Sequence, residues 1–391
     1  MANSQVADHT IRPGPRFAHL EATDAARLHE LKSQLGQCEF ALVSLFVSPA
    51  ADFATVVEQA QRVFVDTLVI ACTTAGEIGV RGYTDDSIAA VAYPAADFTV
   101  APLLIDDLTT FDPQDVASRL IQTRHRLAHS TSDKPHEFAF LVIDGMSLRE
   151  DSVMAALEPG LGSTPLFGGS AGDGRAFQTT QVALDGQVIG NAAVLAVIRS
   201  RGPIKVFSHD HLRPSDVKMV VTGADPDMRR VRRINAAPAG SEYARILGLD
   251  PAQLDTFTFA AHPVVVQIGG RHHVRSIQRV TPEGDLLFFS AIDEGAVLTV
   301  ATSENMVAKL DAELAALRTV QTPTLVLACD CLLRRMEAEQ KQIARDVSSV
   351  MSAHEVVGFS TYGEQLGGMH VNQTMTGVAF YPPIDEASEC P

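Results

Sequence analysis

A pattern of a hydroxyl residue, any residue, a glycine and a carboxylate occurs three times in this chain, and it constrains the fold more than any other feature. The three copies, called the tetrads below, lie at residues 74–77, 170–173 and 361–364. Each copy follows an apolar run, and residues 74–92 align with residues 361–379 without a gap. Such a repeat predicts one structural unit used several times around a shared centre.

The surroundings of each tetrad show the same order of elements: strand, helix, strand, tetrad, strand. Continuous apolar runs predict the first strands, at residues 40–47, 138–143 and 324–329. Helical spacing of apolar residues predicts the helices that follow, at residues 53–64, 151–157 and 332–351. We therefore predict an α/β (α+β) fold of two domains, in which helices cover mixed sheets.

Chain length and composition are those of a globular protein with two domains. The chain has 391 residues, of which 46% are hydrophobic and 20% are charged. Strand periodicity breaks near residues 209–227, which predicts a seam there. The predicted parts are a flexible N-terminus (1–24), an N-terminal domain (25–228), a C-terminal domain (229–384) and a tail (385–391).

Charge and cysteine content narrow the class of protein. The net charge of −16 argues against a general nucleic-acid binder. The basic run at residues 229–233 is interpreted as a solvated face rather than a binding patch. Five widely spaced cysteines favour a reducing cytoplasm, and Cys329 and Cys331 are expected to pack in an apolar core. No apolar stretch is long enough for a membrane helix, and the N-terminus lacks a secretory signal.

The tetrads have a physical rationale. Glycine accepts a positive φ, and the hydroxyl and carboxylate can bond to backbone amides of the turn. One interpretation is that each turn satisfies only its own polar groups. The other is that three turns converge on one ligand site, with arginines near the carboxylates. The candidate ligand-binding residues are Thr74, Glu77, Arg81, Ser170, Asp173, Arg275, Arg334, Thr361 and Glu364.

A catalytic function is not predicted. A hydroxyl and a carboxylate across a glycine turn do not provide the base and orienting group that an activated nucleophile requires. The chain has no G-x-S-x-G elbow, no P-loop and no H-E-x-x-H motif. We therefore expect that the protein is not an enzyme.

Several motifs resemble one family of sensory domains. Residues 72–78 and 167–173 resemble the N-terminal half of FIST domains, and the segments at 242–244, 274–277, 330–335, 358–364 and 372–374 resemble the C-terminal half. The resemblance covers about residues 25–384. FIST domains are regarded as intracellular sensory modules that bind small ligands, so the resemblance implies a cytoplasmic sensor, and it adds Asn372 to the candidate ligand-binding residues.

The resemblance also implies a cofactor and partners. One bacterial subset of the family binds haem, senses nitric oxide and acts on histidine kinases or cyclic-di-GMP enzymes. We therefore predict non-covalent haem b, a separate signalling enzyme of either kind as partner, and a homodimer as the assembly. His370 lies nine residues after Thr361 and aligns with Tyr83, so it is the predicted axial ligand. The alternative ligands are His211, His209 and His273.

Two other functions stay open at this point. In the first, the protein binds an amino acid or a similar small polar molecule without haem. The tetrad carboxylates would then hold its ammonium group, and an arginine its carboxylate. In the second, the protein is an interaction scaffold without a ligand, because one fold can serve several uses.

Overall fold

The structure is a computed structural model that describes residues 13–23, 28–268 and 270–383. Within these residues helices pack on the outer faces of mixed β-sheets, so the predicted α/β (α+β) fold is confirmed. In the part of the chain that the structure describes, no helix is both long and apolar enough to cross a membrane.

The first two tetrads belong to two units of similar construction in the N-terminal half. The first unit comprises β1 (Arg16–Glu21), α1 (Leu28–Leu35), β2 (Phe40–Val47), α2 (Phe53–Val63), β3 (Leu68–Thr73), β4 (Glu77–Gly79), β5 (Gly82–Thr84) and β6 (Ser87–Pro94). The second comprises β7 (Phe98–Ile105), α3 (Pro113–Ser130), β8 (His136–Ile143), α4 (Glu150–Leu161), β9 (Leu166–Ser170), β10 (Val182–Leu184), β11 (Gln187–Ile189) and β12 (Ala193–Ser200).

A further sheet and the third unit make up the rest of the chain. The chain first forms β13 (Ile204–His209). The further sheet, called the fourth sheet below, contains β14 (Leu212–Asp225), β15 (Arg230–Ile234), β16 (Ala237–Pro238), β17 (Val264–Ile268), β18 (Arg271–Arg275), β19 (Ile277–Val280), β20 (Leu286–Phe288) and β21 (Val297–Ser303). Two helices, α5 (Ala239–Leu247) and α6 (Thr256–Ala261), lie between β16 and β17 in the chain. The third unit contains α7 (Met306–Ala316), β22 (Leu325–Cys331), α8 (Leu332–Gln340), α9 (Ala344–Ala353), β23 (Val356–Thr361), β24 (Glu364–Leu366), β25 (Met369–Val371) and β26 (Met375–Phe380).

Three six-stranded sheets repeat one order of strands and exchange hairpins. Their orders are β1-β6-β2-β3-β10-β11, β7-β12-β8-β9-β24-β25 and β13-β26-β22-β23-β4-β5. In each sheet the last two strands are a hairpin from another unit. The first unit gives its hairpin to the third, the third to the second and the second to the first. The three units therefore close into a ring, and this arrangement explains why the repeated pattern needs a shared centre.

The inner faces of these sheets share one hydrophobic core. Phe46 of β2 stacks on Phe359 of β23 with ring centroids 4.3 Å apart, and it meets Phe140 of β8 edge-on at 6.2 Å. Helices cover the outer faces over separate clusters, and the fourth sheet has its own core around Tyr243 and Phe259. Burial of this apolar surface is the main force that holds the ring of units together.

The unbroken register between the first and third units is confirmed. Glu77 begins β4 and pairs with Thr84, while Glu364 begins β24 and pairs with Val371, the matching position in the alignment. The returning strand β6 then runs antiparallel to β2, and β26 runs antiparallel to β22, the corresponding strand of the third unit. The two segments thus follow the same strand–turn–strand path.

The predicted flexible N-terminus is wrong for residues 16–21, which form β1 at the edge of the first sheet. Ala18 and Leu20 are buried against that sheet and alternate with more exposed residues, as in a half-buried edge strand. Residues 1–12 and residue 24 of the predicted N-terminus, and the predicted tail (385–391), lie outside the described residues.

Two predicted boundaries also differ from the structure. The helix predicted over residues 332–351 is divided into α8 and α9, because Gln342 adopts a φ of 59° between them. The seam predicted near residues 209–227 is largely occupied by β14, whose pairing with β21 shifts register between Pro214 and Lys218. Proline has no N–H donor, so strand pairing is weakened at that point while the strand continues.

Candidate functional site

The three tetrads meet at the centre of the ring of units. An amide of each turn donates to a carbonyl at the end of a strand in another unit, at Ala75 N to Ser360 O (2.9 Å), Tyr362 N to Ser170 O (3.2 Å) and Gly172 N to Thr73 O (3.1 Å). The turns are therefore linked in a closed cycle of backbone bonds, which supports the hypothesis of a shared centre.

The second tetrad is shifted by one residue in this cycle. Thr74 N bonds to the last residue of β2 at 3.1 Å, and Ala171 N bonds to the last residue of β8 at 2.8 Å. Ala171, rather than Ser170, therefore occupies the position of Thr74. The sequence pattern therefore aligns Ser170 with Thr74, whereas the structure aligns Ala171 with Thr74.

The first and third turns each contain a buried set of hydrogen bonds, and the two sets have the same pattern. Thr74 Oγ1 donates to Glu77 Oε1, and Ser87 donates to Glu77 Oε2 from its amide (3.2 Å) and its hydroxyl (2.8 Å). Thr361 donates to Glu364 at 2.5 Å, and the amide and hydroxyl of Thr374 do so at 3.2 and 2.7 Å. Both glutamates bond to their own turns, so the structure gives them a structural role; ligand binding by them stays a prediction.

Burial dominates the electrostatics of these two carboxyl groups, because neither glutamate has measurable exposure. Loss of hydration raises the pKa of Glu77 to about 7 and that of Glu364 to about 8, although bonds from the hydroxyls lower both values in part. The guanidinium of Arg335, which bonds to Asp85 at 2.7 Å, also lowers the pKa of Glu77. Sequence reasoning did not identify Arg335.

Asp173 plays a different role from the two glutamates. Its carboxylate accepts bonds of 2.8 Å from the amides of Phe177, Gln178 and Thr179, and it also accepts the hydroxyl of Tyr362. Asp173 therefore shapes the loop that follows it. Because Tyr362 lies within the third turn, the same carboxylate joins the second and third units.

Behind this loop lies a closed cycle of hydrogen bonds, here called the buried ring. Ser170 Oγ donates to Glu150 at 3.4 Å and accepts from Gln365 Nε2 at 2.9 Å. Gln365 Nε2 also lies 3.3 Å from His370 Nδ1, and His370 Nε2 lies 3.2 Å from the carbonyl of Phe289. Arg229 closes the ring with bonds to that carbonyl and to Glu150.

Two acceptors without donors lie in the buried ring or beside it. Among the described residues, Gln365 Oε1 and Asn372 Oδ1 have no hydrogen-bond partner although both atoms are buried. The amide nitrogen of Asn372 lies 3.4 Å from His370 Nε2. Buried polar atoms without partners are uncommon, so Asn372 remains a candidate contact for a ligand or a bound water.

A cleft of about 680 Å³ separates the second unit from the fourth sheet and adjoins the buried ring. Met146, Leu148 and Phe177 line one wall, and Arg229 and Phe289 line the other. Three lining residues have left-handed backbone conformations, with φ of 58° at Leu148 and 52° at Phe177 and Arg229. Such strain in non-glycine residues concentrates at functional sites.

The predicted arginines are not gathered beside the tetrad carboxylates. Arg81 is exposed at the tip of the hairpin between β4 and β5. Arg334 is buried and bonds to Asp330 at 2.8 Å and to His211 at 2.8 Å. Arg275 lines a different cavity and bonds to the carbonyl of His370 at 3.2 Å.

The sequence predicts that the basic run at residues 229–233 is a solvated face, but the run is not uniformly solvated. Arg229 is 2% exposed and bonds to Glu150, because the left-handed turn directs its side chain inwards. Glu150, Arg229, Phe177 and Gln365 were all missed from the sequence, since none belongs to a tetrad. The expected apolar packing of Cys329 and Cys331 is observed, because both are buried in hydrophobic clusters.

The predicted haem ligands differ in their surroundings. His370 is 1% exposed with both ring nitrogens in hydrogen-bond contact, and His211 contacts Arg334 and Glu337 through its two nitrogens. Neither histidine offers a free nitrogen, so they do not fit as axial ligands of haem iron. His209 is buried with an unpaired Nε2 among the described residues, and His273 is half-buried in β18. Within the described residues no three His, Cys, Asp or Glu side chains form a metal-binding group.

Substitution of His370 tests the haem prediction. We expect His370→Ala, purified from haem-replete cells, to show the same Soret absorption as the wild type, because the wild-type ring has no nitrogen available to iron. His209→Ala serves as the matched variant. A wild-type Soret band that is lost only in His370→Ala would contradict this expectation and establish His370 as the ligand.

Comparison with known families assigns both halves of the chain. A family model described as the FIST N domain matches residues 41–237, and one described as the FIST C domain matches residues 239–366. The chain matches no protein of curated function. The junction of the two models follows β15, so the cleft is bordered by residues of both.

Proposed function

Because the chain belongs to the FIST family, we propose that it is a sensor that binds a small ligand in the cleft between its FIST N and FIST C halves. FIST domains are small-ligand sensory domains of signalling proteins. The observation that carries the proposal is the position of Phe177. It lines the cleft in a strained conformation and stacks on Tyr362 with ring centroids 4.5 Å apart.

Phe177 connects the cleft to the centre of the ring of units. Its partner Tyr362 bonds through its hydroxyl to Asp173 and through its amide to Ser170. A ligand that displaces Phe177 therefore changes contacts in both the second and the third turn. A strained residue that links a cavity to a packed junction is a suitable element for a switch between two arrangements.

The walls of the cleft indicate the chemistry of its ligand. Phe177, Phe288 and Phe289 provide aromatic surface, and exposed apolar residues lie at the opening, Leu148 at 36% and Met228 at 56%. These features favour a small molecule with an apolar or aromatic body.

An amino acid is the second candidate ligand, and a specific pair of residues favours it. Asp225 and Arg279 both line the cleft. Asp225 pairs with Arg232 at 3.1 Å, but both side chains are solvent-accessible there, at 35% and 54% exposure, so a ligand ammonium group can join or replace Arg232 while Arg279 binds the ligand carboxylate. The tetrad glutamates, in contrast, have no measurable exposure and are bonded to hydroxyls of their own turns.

We propose a separate histidine kinase or cyclic-di-GMP enzyme as the receiver of the signal. The support is the family's sensory role in signalling proteins. Ligand-dependent co-purification with such an enzyme tests this step, and it is distinct from the binding test below.

A blocking variant tests the ligand site. The probe is a thermal-shift screen of aromatic metabolites and the proteinogenic amino acids. We expect Met228→Trp to abolish the shift caused by any hit, because Met228 lines the cleft and tolerates a larger side chain at 56% exposure. Val320→Trp is the matched control, since Val320 is 98% exposed and is not among the residues that line this cleft. Hits that bind Met228→Trp unchanged would place the ligand elsewhere, and a screen without hits favours the scaffold function.

A further inference from the structure

Arg275 is a buried cation without an ion-pair partner. The residue is 8% exposed, and no carboxylate of the described residues lies within 4.0 Å of its guanidinium. Its protein bonds are from Nη1 to the carbonyls of Val274 and His370, both at 3.2 Å. The Nε and Nη2 groups make no bond to any described residue.

This arrangement differs from that of the other buried arginines. Arg334 is paired with Asp330, and Arg229 with Glu150. Around Arg275, Asp151 and Asp293 act only at longer range, and burial lowers the pKa of the guanidinium. Nε and Nη2 of Arg275 are not among the unpaired polar atoms that are sealed from solvent, so these two groups open onto the cavity beside them, where an anion can pair with the charge.

Arg275 faces a cavity of about 800 Å³ in the fourth sheet. The cavity is bordered by strands β14, β17, β18 and β21, and the register shift in β14 between Pro214 and Lys218 lies at its edge. Bulges of this kind redirect side chains beside binding sites. The volume suits a small organic molecule.

The other lining residues decide which anion fits. Lys218 adds a second cation, while Asp216 and Asp293 add two carboxylates, so these charges roughly cancel without a strongly positive field. A doubly charged phosphate would be repelled by the two aspartates. A singly charged carboxylate needs only the planar fork of Arg275. Val266, Ile292 and Val297 supply apolar surface for its organic body.

We propose that this cavity is a second ligand site, in which Arg275 binds the carboxylate of a small organic acid. The site is lined by residues 214–218 from the FIST N half and residues 266–299 from the FIST C half, and it shares none of its lining residues with the cleft. Arg275 also bonds to the carbonyl of His370, a member of the buried ring. A ligand bound to Arg275 is therefore one hydrogen bond away from the buried ring beside the cleft.

The test uses sodium butyrate as the probe, with sodium chloride at equal ionic strength as the reference. Binding is measured by calorimetry on the full chain. We expect Arg275→Gln to weaken butyrate binding roughly tenfold or more, as for loss of a hydrogen bond to a charged group. Lys218→Gln should weaken it less. Asp293→Asn should strengthen it, because a repelling carboxylate is removed from the cavity.

The test does not depend on Arg275→Gln alone. If Arg275→Gln fails to fold, the opposite effects of Lys218→Gln and Asp293→Asn still test the site, since both residues are exposed. Val320→Trp, at an exposed position among the lining residues of neither cavity, should leave butyrate binding unchanged. Butyrate binding that is insensitive to all three cavity variants overturns the proposal, as does tighter binding of inorganic phosphate than of butyrate.

Discussion

Replacement of Arg334 by methionine is expected to lower the free energy of unfolding by about 3–5 kcal/mol, the range for breaking a buried ion pair. Arg334 is 1% exposed, and its Nε lies 2.8 Å from a carboxylate oxygen of Asp330, which has no measurable exposure. Without the guanidinium, Asp330 keeps only the hydroxyl of Tyr83 as a side-chain donor. The carboxylate would then be buried with its charge uncompensated.

The loss extends to the connection between β13 and β14, because Arg334 also donates to Nδ1 of His211 there, and Nε2 of His211 lies 2.8 Å from Glu337 of α8. Arg62→Met is the matched control. Arg62 pairs with Glu58 on the surface, where the two side chains are 65% and 64% exposed, so a loss below about 1 kcal/mol is expected.

Urea denaturation at pH 7 measures both variants. The double variant Arg334→Met/Asp330→Asn should recover part of the loss, because the unpaired charge is removed with its partner. If Arg334→Met is no more destabilising than Arg62→Met, the buried pair does not hold the third unit together as the structure indicates.

Much of the fold could be predicted from local patterns. Continuous apolar runs gave β2 at its observed bounds and β8 within two residues of its start, because buried strands require uninterrupted apolar residues. The aligned register of the first and third units also survives in the structure. The exchange of hairpins could not be predicted, because β4 carries no local signal that its partner is β23 in a distant unit.

The candidate site was only partly accessible to such reasoning. Thr74 and Thr361 were correctly placed at equivalent turns, because their surroundings align without a gap. Ser170 was matched with them from its letters alone, while the backbone bonds place Ala171 there. Phe177 and Glu150 were missed because strain and long-range pairing have no sequence signature at single positions. Their importance appears only when the chain is folded.

The glutamates of the first and third turns lead to the second large effect, on the dependence of stability on pH. Glu364 has an ordinary pKa of 4.5 when unfolded and a pKa of about 8 in the folded protein. Between these values the folded state holds a proton that the unfolded state has released. Stability from this group is therefore fully present below pH 4.5, and it is lost as the pH rises towards 8.

Glu364→Gln should remove this loss. Glutamine does not titrate, and its amide can donate to one hydroxyl of the turn and accept from another, as a protonated carboxyl group does. Relative to the wild type, the variant should gain stability of about 4–5 kcal/mol between pH 4.5 and pH 8, from 1.36 kcal/mol for each unit of pKa shift. Glu77→Gln should gain about 3 kcal/mol between pH 4.5 and pH 7, since its pKa is raised only to about 7.

Denaturant unfolding at intervals from pH 5 to pH 9 measures the difference between each variant and the wild type, which cancels titration of all unchanged groups. Val320→Ala, at a position that is 98% exposed and carries no ionisable group, is the control and should give a difference that does not vary with pH over this range. The two turn variants should instead lie close to the wild type at pH 5 and exceed it increasingly, up to about pH 7 for Glu77→Gln and about pH 8 for Glu364→Gln. A flat difference for Glu364→Gln would mean that its carboxyl group ionises normally in the fold. In that case the turn would be open to water, and the glutamate would be available to a ligand after all.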